Sequence, residues 1–262
     1  MKIAHESPID IFPAIQTLTD YDYALVHLFE ESDQYWDIFI DAKQKGREII
    51  LDNSLFELGE AFSADRFIPW VEKLAPTWYI IPDVFGNAEL TIRSAKDWAF
   101  KHPHSKSIGV VQGSTYDEMV WCYKEVSPLV DKVAISFGYP MFDTFITGPQ
   151  CPTIHHQRMH GRISLIQRMV ADGVIDENKP HHLLGCSLPQ EFAAYRRYDW
   201  LDSLDTSNPV VAGIEGMVYD GHFGLQTKPR HKLFTLIDDI TQPGAVDKMC
   251  YNIECFRKIV KG

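Results

Sequence analysis

Apolar and β-branched residues fall in short runs along this chain. Each run is followed by a polar turn and then by a stretch with helical spacing. Tyr23 to Phe29 opens as a strand, and Asp33 to Lys45 reads as a helix, with Trp36, Phe39, Ile40 and Ala42 near helical spacing. Glu48 to Asp52 is the next strand, with Asn53-Ser54 turning out of it, and Ser63 is placed to cap a helix through Leu74. Trp78 to Asp83 is a third strand, after which Asn87 caps a helix from Ala88 to about Lys101. Ser107 to Gly113 is a fourth strand, and Thr115 caps the helix behind it. Lys132 to Ser136, His182 to Gly185 and Trp200 to Asp205 supply strands five to seven, with helices over Arg162 to Ala171 and Pro189 to Arg197. Beyond them, Gly216 to Lys228 alternates and turns at Asp220-Gly221 like a β-hairpin. Leu233 to Ile240 and Tyr251 to Val260 look helical.

Strands alternating with helices specify βαβ units on a parallel sheet. Seven or eight such units predict an α/β protein of the (β/α)₈ TIM-barrel class, with a doubly wound sheet as the alternative. No linker or composition break divides the chain, so residues 1–262 are expected to form one barrel domain. The expected strands end in Asp52, Asp83, Gln112, Ser136, Gly185 and Asp205. A barrel gathers such ends at one mouth, which is where barrel chemistry sits.

Composition narrows the partners. The chain of 262 residues is 45% hydrophobic and 12% aromatic, enough for a sizeable core, and carries a net charge of −11. That charge opposes wholesale binding to nucleic acid or membrane, though not a local basic patch. No apolar run reaches the length of a membrane span, and Met1-Lys-Ile-Ala-His-Glu6 lacks a signal core. Five scattered cysteines read as free thiols of a cytoplasmic protein. The sequence does not fix an oligomeric state.

Asp52 and Asp205 could pair for displacement at a carbon, one as nucleophile and one as acid/base. Either could equally cap the element that follows. Asp83 could be a ligand acid or a turn residue. Gln112-Gly113 offers an amide donor and acceptor with room for close approach, which suits a planar heterocycle. Gly138 could present backbone groups or serve a turn, and an isolated Phe56 reads first as core. The histidines lack metal-ligand spacing, Cys250 and Cys255 have no second pair nearby, and neither GxGxxG nor a P-loop is present. No metal and no cofactor are expected. Basic residues cluster at 158–168, at Arg196-Arg197 and at Lys228-Pro-Arg230-His-Lys232. These are candidate phosphate contacts or merely solvated faces.

Six motifs in order carry a resemblance: Asp52-Asn-Ser-Leu-Phe-Glu57, Pro82-Asp83, Val110-Val-Gln-Gly113, Ile135-Ser-Phe-Gly138, His182-Leu-Leu-Gly185 and Asp202-Ser-Leu-Asp205-Thr-Ser-Asn-Pro209. Together they resemble the tRNA-guanine transglycosylase family over about residues 48–230. The resemblance implies a (β/α)₈ barrel that replaces guanine in a nucleic acid by a 7-deazaguanine. It implies Asp205 as the nucleophile at C1′ and Asp52 as the proton-transfer acid/base. Asp83 and Gln112 match base-recognition positions, Gly138 and its neighbours match positions with backbone contacts, and Phe56 and Leu184 match the residues that sandwich the base; Gly113 and Gly185 are expected to bind substrate beside them. Arg196, Arg197, Lys228 and Arg230 are the expected contacts to DNA or tRNA. The chain departs from the pattern in two places. Asn53-Ser54-Leu55 stands where the family carries a glycine pair, and the zinc-holding cysteine cluster that helps to hold tRNA is missing. The second departure is closer to relatives that modify DNA. Two other readings remain open at this stage: a hydrolase or transferase for free nucleosides or sugars, and an inert barrel serving as a binding subunit.

Overall fold

The computed structural model describes residues 1–144, 151–221 and 223–262, with nothing said of the side chains of 143 and 144. Its eight described strands are β1 (Lys2–His5), β2 (Asp22–Leu25), β3 (Ile49–Asp52), β4 (Trp78–Ile80), β5 (Lys106–Val110), β6 (Lys132–Ser136), β7 (His181–Leu184) and β8 (Leu201–Thr206). All pair in parallel, in the order β1-β8-β7-β6-β5-β4-β3-β2. The two end strands, β1 and β2, lie beside each other without a ladder. Side chains close this seam: Asp20 Oδ2 accepts from the Ile3 N–H at 3.0 Å, and Thr19 Oγ1 accepts from the His5 N–H at 3.0 Å. The result is a nearly closed (β/α)₈ barrel.

Around it run α1 (Phe12–Gln16), α2 (Val26–Glu31), α3 (Asp33–Gln44), α4 (Leu55–Leu58), α5 (Ala64–Leu74), α6 (Ala88–Asp97), α7 (Tyr116–Val126), α8 (Ile154–Ala171), α9 (Asn208–Ile214) and α10 (Pro243–Lys261). Side-chain caps explain several starts. Asn87 accepts from the Leu90 N–H and Thr115 from the Glu118 N–H, as their positions predict, and Thr153 caps α8, which begins at Ile154 and so before the expected start at Arg162. Ser63 makes no such bond, although its helix forms.

The structure corrects the sequence reading in several places. Lys2–His5 is the missing strand, so the strand bearing Asp205 is the eighth rather than the seventh. β2 stops at Leu25, level with Asp52, and Val26 to Phe29 turn into α2 instead of continuing extended. That turn packs Phe29 against Tyr35, Trp36, Phe39 and Trp70, a burial that a continued strand would forgo. Pro189–Tyr195 is a 3-10 segment rather than an α-helix. The expected hairpin is reduced to one antiparallel bridge, with Asp220 and Gly224 exchanging backbone hydrogen bonds at 2.9 Å. Residue 222, inside that stretch, lies outside the described residues. Leu233–Leu236 is a short 3-10 turn, and the C-terminal helix begins at Pro243.

Candidate active site

A cavity of about 300 Å³ opens at the C-terminal mouth of the barrel. That is at the lower end of the range for small-ligand sites, roughly 300–1,000 Å³. The strand register brings the expected carboxylates there. Asp52 closes β3 opposite Leu25, and Asp205 lies level with Ala4 and one residue before the end of β8. Asp52, Phe56, Asp83, Gln112, Leu184, Gly185, Asp205, Lys228 and Arg230 all line the cavity.

Asp205 is nearly buried, at 6% exposure, and is held from two sides. The Gly185 N–H lies 3.2 Å from each of its oxygens, and His182 Nε2 lies 3.0 Å from Oδ1. Oδ2 therefore keeps the freer lone pairs. Gly185 sits at φ 62° and a Cβ there would stand 2.5 Å from the Phe137 ring, so both backbone conformation and space call for glycine. Its carbonyl is in turn fixed by Arg162, a fully buried side chain that donates to Leu184 O at 2.9 Å and Gly185 O at 3.0 Å and pairs with Glu191 at 2.5 Å. Arg162 thus leaves the set of candidate phosphate contacts and becomes scaffolding for the loop that grips Asp205.

Asp52 accepts from the Tyr23 hydroxyl at 2.6 Å and from the Ser54 N–H at 2.5 Å. Burial pushes its pKa up to about 7. Those two hydrogen bonds oppose the rise, and the charges of Asp205 and Asp83 add to it. Ser54 is itself buried and left-handed, at φ 62°. It adopts a backbone conformation natural to glycine, and His27 Nδ1 fixes its hydroxyl at 2.8 Å. Ser54 thus holds a left-handed turn without a glycine. The neighbouring Asn53 instead braces Asp83, donating from its amide to Asp83 Oδ1 at 2.8 Å and to Ile81 O at 3.0 Å.

Asp83 is 4% exposed and takes a second hydrogen bond from the Gln112 amide at 2.6 Å, while the Gln112 carbonyl accepts from the Gly86 N–H at 2.9 Å. Burial raises the Asp83 pKa to about 6 against the pull of Gln112 and Asn53. Each Asp83 oxygen is oriented by one donor and has a lone pair to spare, so Gln112 positions this acid rather than standing free. Gly113 does not line the cavity: a Cβ there would meet Met119 N at 2.9 Å, so this glycine lets the loop after β5 approach α7. Gly138 does not line it either. Both stand next to lining residues, Gln112 and Phe137. Phe56, read first as core, is instead 49% exposed at the rim, tilted against Phe137 at 5.5 Å.

Sequence reading missed four groups. Glu6 follows the overlooked β1, and burial raises its pKa well above the carboxylate range, with Asp205, Glu57 and Asp52 adding to the rise. Burial likewise pushes Glu57 up to about 8, and its Oε2 has no hydrogen-bond partner among the described residues. Tyr23 and His182, which stack at 6.0 Å, sit between the two catalytic candidates. No alternation marks them: β2 reads Asp-Tyr-Ala-Leu and β7 reads His-His-Leu-Leu, so the local pattern carried no signal for a site role.

The basic clusters part company. Arg158, Lys228, Arg230 and Lys232 lie on the cavity, with Lys228 Nζ 3.9 Å over the Phe137 ring and its pKa lowered by burial to about 8. Arg196 instead lies beside Met1, Lys2 and Leu201 at the opposite end of the barrel, where it donates to Ile259 O at 2.7 Å and caps the end of α10. Arg197 is beside it, stacked on Tyr198. These two arginines are remote from the mouth, which corrects their expected place beside the site. Asp202 also faces that far end, paired with Lys132 at 2.6 Å. Among the described residues, no helix is long and apolar enough to cross a membrane. No protein-family model and no curated protein sequence matches the chain.

Proposed function

We propose that this barrel exchanges a guanine-type base at the glycosidic carbon of a nucleic acid, inserting a 7-deazaguanine in its place. The observation that carries the reading is the pairing of two differently held acids at one mouth. Asp205 is gripped through Oδ1 with Oδ2 freer, and Asp52 is held with a pKa near neutrality. In the first half-reaction Asp205 Oδ2 bonds to C1′ as the bond from C1′ to the base nitrogen breaks. The base leaves with that electron pair and takes the Asp52 proton. In the second half the incoming base attacks C1′ through the same nitrogen, its proton returns to Asp52, and Asp205 is released. Asp83, with two oriented oxygens, suits the adjacent N–H donors of a guanine edge. Phe56 and Leu184 flank the same space. The identities of the bases rest on the resemblance of the six motifs.

Arg230 and Lys232, on the rim, supply a local basic edge for phosphates on an otherwise acidic chain. DNA stands ahead of tRNA here because the family's cysteine cluster has no counterpart. The test is mass spectrometry of nucleosides from DNA and tRNA incubated with the protein and candidate deazaguanines, with denaturing electrophoresis for a protein–polymer adduct. A modified nucleoside and an adduct lost in Asp205→Asn are expected. Cleavage of free nucleosides with no adduct would instead give the site to a small-substrate hydrolase, and no turnover of either kind would leave a binding barrel.

A further inference from the structure

A file of polar side chains runs through the barrel interior from its closed end to Asp205. Lys132, at the start of β6, is fully buried, with its ammonium held by Asp202 at 2.6 Å and lying 4.1 Å over the Trp78 ring. Its Nζ donates to Ser203 Oγ at 3.2 Å. Ser203 Oγ stands 3.0 Å from His182 Nδ1, and His182 Nε2 stands 3.0 Å from Asp205 Oδ1. Ser203 and Asp205 are two apart on β8 and point the same way, inward. Ser203 and His182 are both fully buried, so no water is at hand to vary the pattern.

The proton positions along the file follow from its two ends. A lysine ammonium only donates, so Ser203 Oγ accepts from Lys132, which leaves its one hydrogen free to point at His182 Nδ1. A carboxylate only accepts, so the proton facing Asp205 belongs to His182 Nε2. The Asp205 end requires this tautomer, and the Lys132 end favours it by occupying one lone pair of Ser203 Oγ. Burial also depresses the His182 pKa, which agrees with a neutral ring. The Tyr23 ring, stacked on the imidazole, fixes its plane.

We infer that Lys132, Ser203 and His182 form a hydrogen-bond file of fixed polarity that locks His182 as the neutral Nε2–H tautomer and so anchors Asp205 through Oδ1, leaving Oδ2 as the reactive oxygen. Lys132 and Ser203 are positioning residues that touch no substrate. The tautomer follows from the file alone, and its consequence for catalysis rests on the transfer reading above.

Nitrogen-15 NMR of histidine-labelled protein near neutral pH, with the His182 signals assigned by their loss in His182→Gln, tests the file without any substrate. A protonated Nε2 and a bare Nδ1 are expected in the native protein. A protonated Nδ1 overturns the inference outright, whatever the variants do. In Ser203→Ala, and separately in Lys132→Met, Asp205 alone still selects the Nε2–H form, so the second tautomer should gain a measurable minor population. Adduct formation should then slow by about 10–100-fold, taking as a guide the range found when the hydrogen-bond partner of a metal-ligating histidine is removed, and Ser203→Thr should regain the native signal. An unchanged tautomer in both folded variants also overturns the inference. The expected tautomer with no adduct on any polymer keeps the file and removes the transfer reading.

Discussion

Tyr23 donates its phenolic hydrogen to Asp52 Oδ2 at 2.6 Å. The same ring lies parallel to His182, the side chain that grips Asp205, at a centroid distance of 6.0 Å. One tyrosine therefore touches the supports of both acids. Removing only its hydroxyl separates the two contacts. In Tyr23→Phe the ring still stacks, but the ionised form of Asp52 loses a stabilising partner. A hydrogen bond to a charged group contributes about 1.5–3 kcal/mol, or roughly one to two pKa units. Asp52 should therefore stay protonated to higher pH. The alkaline limb of the base-exchange profile should move upward by about that amount in Tyr23→Phe. An unmoved limb would separate Asp52 from the titration that controls the rate.

The acids at the mouth also predict how stability varies with pH. Asp52 and Glu57 have folded pKa values of about 7 and about 8, above those of unfolded carboxyls. Between those limits the folded chain binds more protons than the unfolded chain, so stability falls as pH rises. The buried histidines His5, His27 and His181 act oppositely, because their folded values of about 3, about 4 and about 4 lie below the unfolded one. Their contribution is complete by about pH 6.5, the unfolded histidine value. Lys228, lowered to about 8, takes effect only above that pH. The window from about 6.5 to 8 is thus left to the carboxyls, and the urea midpoint should decline across it. Asp52→Asn combined with Glu57→Gln should flatten the decline, and an undiminished slope would place its source elsewhere.

Ser54 offers a test of the turn after β3. The residue is left-handed at φ 62°, and its hydroxyl meets buried His27 Nδ1 at 2.8 Å. Ser54→Ala keeps the strained backbone and strips His27 of this partner, so it should cost about 1–3 kcal/mol. Ser54→Gly removes the same hydroxyl but relaxes the backbone, recovering up to about 1 kcal/mol relative to alanine. Equilibrium urea unfolding measures both. An alanine variant at least as stable as the glycine variant would show that the turn carries no such strain.

How much of this site could be read from the sequence follows from which forces act locally. Asp52, Asp83, Gln112 and Asp205 were legible because each ends an apolar run, and a parallel barrel sends all such ends to one mouth. Lys2–His5 was not, since four residues at a chain start give no periodicity, and Glu6 was lost with it. The roles of His182, Ser203 and Lys132 depend on contacts 21 to 71 residues apart, which spacing along one strand does not reveal. A glycine before a helix, as Gly113 is, can serve a ligand or a neighbouring helix equally. Only the Met119 contact decides between them. Arg196 looked like its basic neighbours until its carbonyl partners on α10 were seen.

That last distinction gives the sharpest prediction about partners. Arg230 and Lys232 stand exposed at the mouth, with Lys232 Nζ 4.7 Å over the Phe56 ring, whereas Arg196 is tied to the end of α10. If a nucleic acid delivers its base to this cavity, its flanking phosphates pass over the mouth and not the far end. Replacing Arg230 and Lys232 by Ala should weaken binding to guanine-containing DNA or tRNA. It should also reduce the slope of log affinity against log salt by roughly 0.7–0.9 for each phosphate no longer neutralised. Arg196→Ala should leave that slope unchanged while lowering the thermal midpoint, because the last carbonyls of α10 lose their donor. Filter binding across a salt series, with thermal unfolding on the same samples, separates the two effects. A slope that responds to Arg196 and ignores Arg230 and Lys232 would move the polymer to the other end of the barrel. The mouth would then be left to a small substrate that carries no phosphate chain.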